Sequence, residues 1–163
     1  ALAPLAHEVF ETATILGEAA GLTVTMPEIA DVVVLADRTR LRQLFLNIVT
    51  NALKYTTSGS VALSLVAHDR TVAFTVRDTG MGISAADLPH IFERFYRADR
   101  ARSRSAERGG FGLGLAISQW IAEAHGGTIS VRSRLGRGTT FTVTLPVAED
   151  SVAAPQPEEI SAD

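Results

Sequence analysis

Apolar residues recur at helical spacing in three parts of the chain. The first part runs from Pro4 to Ala20 and stops before a glycine, which is a natural helix end. The second runs from Arg38 to Tyr55 and follows Asp37, a residue type that favours the N-cap position. The third runs from Leu113 to His125 and ends at two glycines. The pattern therefore predicts three amphipathic helices.

Alternation of apolar and polar residues predicts two β-hairpins further along the chain. The first hairpin is indicated by the alternating segments 61–65 and 72–76. The second is indicated by segments 129–131 and 141–145, with a glycine-containing turn at 135–138. Each strand has one apolar face, so both hairpins are expected to cover a core on one side.

Two short strands are also expected before the second helix, at Thr23–Met26 and Val32–Ala36, on either side of a turn that contains Pro27. The order of helices and strands favours an α/β fold. We expect a two-layer α/β sandwich, in which a mixed sheet of about five strands carries three helices on one face.

A long connection separates the first hairpin from the third helix. It extends from Asp78 to Gly112, well beyond the usual connection of about 4 to 6 residues. It holds an amphipathic piece from Leu88 to Phe95, and six of the fifteen basic residues fall between positions 94 and 108. Loops of this size in compact domains are usually functional, so we expect chemistry in or beside this one.

Composition and charge narrow the class of protein. A chain of 163 residues, 46% of them hydrophobic, fits a single domain. The chain includes no cysteine, which excludes disulfides and thiolate sites. We expect this domain to span residues 1–147, and the acidic stretch 148–163 to be a disordered tail. The net charge of −3 gives no indication that the protein binds nucleic acid. No apolar run approaches the roughly 20 residues of a membrane span. Because the chain lacks an initiating Met, we take it as part of a longer protein.

The second helix carries a polar stripe of four residues, namely Gln43, Asn47, Asn51 and Lys54. At about 100° per residue these side chains share one side of the helix, away from its apolar sector. A solvated helix face explains the stripe without any function. Alternatively, the two carboxamides and the only lysine of the chain project into a cleft, where amide oxygens suit Mg²⁺ and an ammonium suits phosphate.

Three glycine-rich strings have comparable alternatives. The string DTGMG after the first hairpin is either a tight turn or a pocket in which Asp78 accepts a hydrogen bond from an exocyclic amine. The string GGFGLGL is either a hinge or a phosphate-binding helix start. It lacks the lysine of a P-loop. The string GRGTTF is sufficiently explained as a hairpin turn.

Taken together, five strings closely resemble the catalytic and ATP-binding domain of bacterial sensor histidine kinases, members of the GHKL superfamily. They are LNIVTNALKYT, DTGMGIS, IFERFYRAD, GGFGLGLAIS and GRGTTF, in this order, and the match covers roughly residues 3 to 146. The resemblance implies the Bergerat α/β sandwich, ATP and Mg²⁺ as ligands, and the long connection as a mobile lid over ATP. Phe111 departs from the pattern, because many relatives carry a small or hydroxyl-bearing residue there.

The resemblance also implies roles for individual residues. Asn51 matches the Mg²⁺ ligand, and Asn47, Lys54 and Arg97 match residues expected to take part in catalysis. The residues expected to bind ATP are Asn47, Asn51, Lys54, Tyr55, Asp78, Gly80, Gly82, Ile83, Arg97, Gly110, Gly112, Leu113, Gly114, Leu115 and Thr140. Asp78 corresponds to the adenine-binding aspartate. Phe92, Phe95 and Tyr96 are expected to anchor the lid.

Within this resemblance, the phosphoryl acceptor is a histidine on a separate dimerisation hairpin. None of the four histidines of this chain fits that role. His7 lacks the following proline and lies too few residues before Asn47 for a hairpin to intervene. The expected partners are therefore the protein's own acceptor hairpin and a response regulator. The fragment is expected to be monomeric and cytoplasmic and to come from a homodimeric sensor. Whether that sensor is embedded in a membrane stays open from the sequence.

Two competing functions remain open from the sequence. One is a serine kinase of the anti-sigma-factor type, and the other is a nucleotide-binding module without catalysis, which Phe111 favours. Gyrase-type relatives use a glutamate base at the position of Asn47. An amide cannot act as a general base, so this fragment is expected to hydrolyse ATP slowly.

Overall fold

The computed structural model describes residues 1–96 and 114–149. Within these ranges the chain forms three α-helices, five β-strands and a short 3₁₀ turn at Leu88–His90. The helices are α1 (Ala3–Ala19), α2 (Arg38–Lys54) and α3 (Gly114–Ala124). The strands are β1 (Thr23–Ile29), β2 (Ser60–His68), β3 (Thr71–Asp78), β4 (Thr128–Arg134) and β5 (Gly138–Pro146). The three predicted helices and both hairpins are present.

The strands form one mixed sheet in the order β1-β2-β3-β5-β4. β1 pairs with β2 in parallel, and α2 provides the crossover that a parallel pair requires. The other neighbours are antiparallel, with β3 lying between β2 and β5. Asp78 at the end of β3 pairs with Thr139 at the start of β5, so the DTGMG string leaves the sheet beside the GRGTTF turn.

The helices cover one face of the sheet. Alternate residues of the three central strands are buried on that face: Val61, Leu63, Leu65, Val72, Phe74, Val76, Phe141, Val143 and Leu145. Phe45 of α2 stacks on Phe74 with ring centroids 4.0 Å apart. The opposite face carries many small or polar residues, as in the paired row Ser64, Thr75 and Thr142. The expectation of a two-layer α/β sandwich is confirmed.

The predicted strand at Val32–Ala36 is wrong, as is the turn at Pro27. Pro27 lies inside β1, where the pairing register shifts between Thr25 and Glu28. β1 is an edge strand, and a bulge on an edge tolerates a residue that cannot donate a ladder hydrogen bond. Segment 32–36 makes its backbone hydrogen bonds outside the sheet. The carbonyl of Val32 accepts a hydrogen bond from the N–H of Leu2, and that of Val33 accepts one from the N–H of Ala148.

Side-chain contacts at the N-terminal end of α2 fix its position over the sheet. The N-cap is confirmed, since the carboxylate of Asp37 accepts a hydrogen bond from the backbone N–H of Arg40 at 3.1 Å. The N–H of Asp37 itself donates to Nε2 of His125, which joins the start of α2 to the end of α3. Glu8 of α1 binds Arg38 and Arg42 at 2.9 and 2.7 Å. These contacts orient the polar stripe of α2 relative to α3.

The described beginning of the long connection is tied to the domain. Phe92 packs edge-on against Phe141, with ring centroids 6.4 Å apart, and the hydroxyl of Tyr96 donates to Asp87. Phe95 behaves differently, because its backbone has φ +63° and its side chain is 69% exposed. Phe92 therefore packs as expected for an anchor, whereas the expectation that Phe95 also anchors this segment is wrong.

Candidate functional site

Hydrogen bonds bring the predicted strings together around the C-terminal half of α2. The N–H of Met81, in DTGMG, donates to the carbonyl of Tyr55 at 3.2 Å. The carbonyl of Met81 accepts from Gly136, in GRGTTF, at 2.7 Å. On another side of α2, Asn47 reaches the carbonyl of Gly114 at the start of α3. Segments far apart in the sequence therefore line one end of the sandwich.

Asp78 is the buried carboxylate of this site, only 5% exposed at the end of β3. Its Oδ1 accepts from the N–H of Gly80 at 2.9 Å and from that of Thr139 at 3.2 Å. Its Oδ2 accepts no hydrogen bond from the described residues. Burial raises the pKa of Asp78, and the hydrogen bonds from Gly80 and Thr139 oppose that rise. One oxygen thus holds the loop, and the other is available to a donor.

The glycines beside Asp78 are required by space. A Cβ on Gly80 would lie 2.4 Å from the carbonyl oxygen of Tyr55. Gly82 has φ +70°, and a Cβ there would lie 2.1 Å from the carbonyl oxygen of Arg134. The loop therefore passes between the end of α2 and the end of β4 with no room for a Cβ at these two positions. Both were predicted as pocket residues, and their close packing accounts for the D-x-G-x-G spacing.

A hydroxyl network continues the site from Asp78 into β4 and β5. Ser133 Oγ accepts from the N–H of Ile83 at 2.7 Å and lies 2.8 Å from Oγ1 of Thr139. Ile83 itself packs against the core. Thr139 and Ser133 were missed in the sequence. The alternation of side chains along a strand could have identified Thr139, because Phe141 points into the core and Thr139, two residues earlier, must point the same way. Ser133 is paired with Thr139 on the neighbouring strand.

The same alternation places Thr140, a predicted ATP-binding residue, on the opposite face of the sheet. There it pairs with Arg77 of β3 and Arg132 of β4, on the side away from Asp78. The structure therefore does not bring Thr140 to the other predicted residues, and Thr139 occupies the corresponding place.

The polar stripe of α2 contains the remaining side chains of the site. Asn47 Nδ2 lies 3.4 Å from the carbonyl oxygen of Gly114 and 3.3 Å from Ser118 Oγ. Asn51, one turn later, is half-buried, and its carboxamide makes no hydrogen bond with a described residue. Lys54 Nζ lies 5.5 Å from the ring centroid of Tyr55. The stripe is therefore partly covered by α3, in contrast to a fully solvated face.

Other predicted residues divide into two groups. Leu115 is half-buried and packs against the core, beside exposed Gly114. Those that lie outside the described residues are Arg97, Gly110, Gly112 and Leu113. Phe111 lies outside them as well.

In residues 1–96 and 114–149, no cluster of three or more His, Cys, Asp or Glu side chains is arranged to hold a metal ion. Over the same ranges, no helix has the length and apolarity needed to cross a bilayer.

Comparisons with known proteins agree with this geometry. The family model described as histidine kinase-, DNA gyrase B- and HSP90-like ATPase matches residues 36–149. The sensor histidine kinase RppB of Synechocystis is 46% identical over 112 residues, covering 68% of this chain and 24% of that protein. WalK of Bacillus subtilis is 41% identical over 123 residues, covering 74% and 20%. The chain thus spans a quarter or less of the length of these two relatives.

Solved structures resemble the fold as a whole. The crystal structure of full-length ShkA in complex with AMPPNP superposes with a TM-score of 0.79 and 34% identity, covering 95% of this chain and 31% of that one. The mycobacterial sensor histidine kinase MprB gives a TM-score of 0.74 and 27% identity, covering 88% of this chain and 94% of that one.

Proposed function

We propose that this chain, which belongs to the family of histidine kinase-, DNA gyrase B- and HSP90-like ATPases, is the ATP-binding catalytic part of a sensor histidine kinase. It binds ATP with Mg²⁺ and donates the γ-phosphoryl group to a histidine on a separate helical hairpin. The observation that carries the proposal is the buried Asp78, which has one committed and one available oxygen beside the asparagine stripe of α2. The sensor kinases among its relatives support it.

Asp78 selects adenine in this proposal. Its Oδ2 accepts a hydrogen bond from the exocyclic amine of the base, which guanine lacks at that position. Gly80 and Gly82 shape the base pocket indirectly, because the loop that carries them packs against the carbonyl oxygens of Tyr55 and Arg134, where a Cβ would not fit. Thr139 lies next to the carboxylate through its N–H and adds a hydroxyl on the same side. Ile83 borders this pocket from the core.

The residues of α2 fit a magnesium ion and phosphate. The carboxamide of Asn51 makes no hydrogen bond with a described residue, and an amide oxygen is a suitable Mg²⁺ ligand. Mg²⁺, when bound, offsets the negative charge of the phosphates and aligns them. In the proposal Asn47 orients the same group, Lys54 supplies a cation, and Tyr55 borders the phosphates. Arg97, Gly110, Gly112, Leu113, Gly114 and Leu115 are proposed to complete the phosphate side.

Phosphoryl transfer then depends on positioning and charge rather than on a base within this chain. A bond forms between the acceptor imidazole nitrogen and the γ-phosphorus, while the bond from that phosphorus to the bridging oxygen breaks and ADP leaves. Asn47 cannot remove a proton from water, so we expect slow hydrolysis by this chain without its acceptor.

The phosphoryl group passes from the histidine to a response regulator, in the cytoplasm. The parent protein dimerises through the hairpin.

The test is phosphoryl transfer from radiolabelled ATP, by this chain, to the helical hairpin of its parent protein. We expect an acid-labile, base-stable phosphate on the hairpin, and none when its acceptor histidine is replaced by glutamine. An acid-stable phosphate would instead indicate a serine kinase. Tight ATP binding without transfer would indicate a nucleotide-binding module, and absence of ATP binding would contradict the proposal altogether.

A further inference from the structure

A buried hydroxyl joins α3 to the asparagine stripe. Ser118 is 0% exposed, and its Oγ lies 2.7 Å from the carbonyl oxygen of Gly114, one turn earlier in α3. The side chain of Asn47 approaches both groups, with Nδ2 3.3 Å from Ser118 Oγ and 3.4 Å from the oxygen of Gly114. The three groups form a closed polar contact between α2 and α3.

The chemistry of these groups fixes which end of the Asn47 amide faces α3. The carbonyl of Gly114 can only accept hydrogen bonds. Ser118 has a single hydroxyl hydrogen, which it directs to that carbonyl, so towards Asn47 it can only accept. Both neighbours therefore require the NH₂ group, and the opposite orientation would place Oδ1 of Asn47 against two acceptors. Oδ1 accordingly points away from α3 and accepts no hydrogen bond from a described residue.

We propose that Ser118 is a positioning residue that holds the Asn47 carboxamide with its oxygen turned to the phosphate and metal group. This inference rests on the proposed function, since it assigns Ser118 a part in the same site. A carboxamide that rotates freely presents a donor as often as an acceptor, and a donor repels a cation. Ser118 removes that ambiguity from inside the core, where solvent cannot compete.

Three variants separate hydrogen bonding from packing. Ser118→Ala removes the hydroxyl, Ser118→Cys keeps a similar volume with a weak hydrogen-bonding group, and Ser118→Thr keeps the hydroxyl. Thr14→Ala is the matched control, because Thr14 Oγ1 makes the same bond to the carbonyl one turn earlier, at 2.8 Å from Phe10, but in α1. Urea unfolding of each variant identifies any that fails to fold.

The first readout needs no ligand. The side-chain amide resonances of Asn47, observed by ¹⁵N–¹H NMR of the full chain, should shift in Ser118→Ala and Ser118→Cys and stay near wild type in Ser118→Thr and Thr14→Ala. Unchanged Asn47 resonances in Ser118→Ala would overturn the inference even if ATP binding were absent, so this readout is independent of the proposed function.

The second readout is calorimetry of ATP binding with Mg²⁺ and with a chelator. Ser118→Ala should weaken the Mg²⁺-dependent affinity about three- to tenfold, the range of one neutral hydrogen bond, and leave metal-free binding within about twofold. Equal losses in both conditions would indicate a packing role and contradict the inference, as would wild-type affinity in both. If wild type itself does not bind ATP, the proposed function fails and the NMR readout alone decides the role of Ser118.

Discussion

The two ends of the candidate site are built in different ways. The base end consists of Asp78, Gly80, Gly82 and Thr139, and backbone groups hold it so tightly that added Cβ atoms on its two glycines would meet carbonyl oxygens. The phosphate end consists of Asn47, Asn51, Lys54 and Gly114, and it is made mostly of side chains. A Cβ on Gly114 would meet nothing described within 4 Å. Substitutions of the two base-end glycines should therefore affect folding and binding together, whereas substitutions of the phosphate-end side chains should affect binding alone.

The strongest test of this contrast is Gly82→Ala. The new Cβ would lie 2.1 Å from the carbonyl oxygen of Arg134, and φ is +70°. We expect a loss of about 3 kcal/mol or more in unfolding free energy, from left-handed strain and overpacking together, with loss of ATP binding. Gly136→Ala is the control, since φ is +80° but the Cβ meets nothing within 4 Å. It should lose about 1 to 2 kcal/mol from strain alone.

Urea unfolding and ATP calorimetry of both variants measure this difference. Equal destabilisation by the two substitutions would mean that the close passage of Gly82 beside β4 does not matter, and the base end would then be no more rigid than an ordinary turn.

Asp78→Asn should separate binding from stability within the base end. Asparagine Oδ1 can still accept from Gly80 and Thr139, but its NH₂ group would meet the amine of adenine. We expect ATP affinity to fall about 10- to 150-fold, corresponding to the roughly 1.5 to 3 kcal/mol of a hydrogen bond to a charged group. Calorimetry with ATP and with GTP measures the effect, and ATP binding at wild-type strength would remove Asp78 from the site.

The same variant has a predictable pH dependence. Burial raises the pKa of Asp78 in the folded protein above its ordinary 3.8. At a pH between 3.8 and this raised pKa, the folded protein keeps a proton that the unfolded chain has lost. The free energy of unfolding therefore falls as the pH rises through this range. Asp78→Asn should be as stable as wild type below it and more stable above it. Unfolding midpoints measured from pH 3 to 8 test the sign, and a variant that becomes relatively less stable at high pH would contradict it.

The contrast also explains which features were predictable from sequence. Helical periodicity and a local N-cap predicted α2, and D-x-G-x-G predicted the loop after β3, because both depend on neighbouring residues. Pro27 was misassigned to a turn because its tolerance depends on an edge position that only long-range pairing creates. Thr139 was recoverable from the alternation that leads to Phe141. Ser118 was not, since its partner Asn47 belongs to another helix.

At the phosphate end, Asn51→Ala should change binding without weakening the fold. The Asn51 carboxamide has no hydrogen bond to lose among the described residues, and alanine is the better helix former. We expect the Mg²⁺-dependent part of ATP affinity to fall about tenfold or more, equivalent to roughly 1.4 kcal/mol, while metal-free binding stays close to wild type. Thr50→Ala on the same helix is the control, because its hydroxyl bonds to the carbonyl of Leu46. If neither variant alters the magnesium effect, Asn51 is not a metal ligand.

Glu8→Gln, away from both ends, should have the smallest effect. The hydrogen bond from Arg42 and the positive charge of Arg38 hold the pKa of Glu8 below its ordinary 4.5, so its contribution to stability is present above that value and is lost as pH falls through the lowered pKa. The groups are exposed and salt screens them, so we expect a slight decrease in the unfolding midpoint at neutral pH that disappears in 1 M salt or at pH 3. ATP affinity should not change. A measurable loss of affinity would show that the Glu8 contact between α1 and α2 orients the asparagine stripe, and the phosphate end would then depend on the packing of α1 as well as on its own side chains.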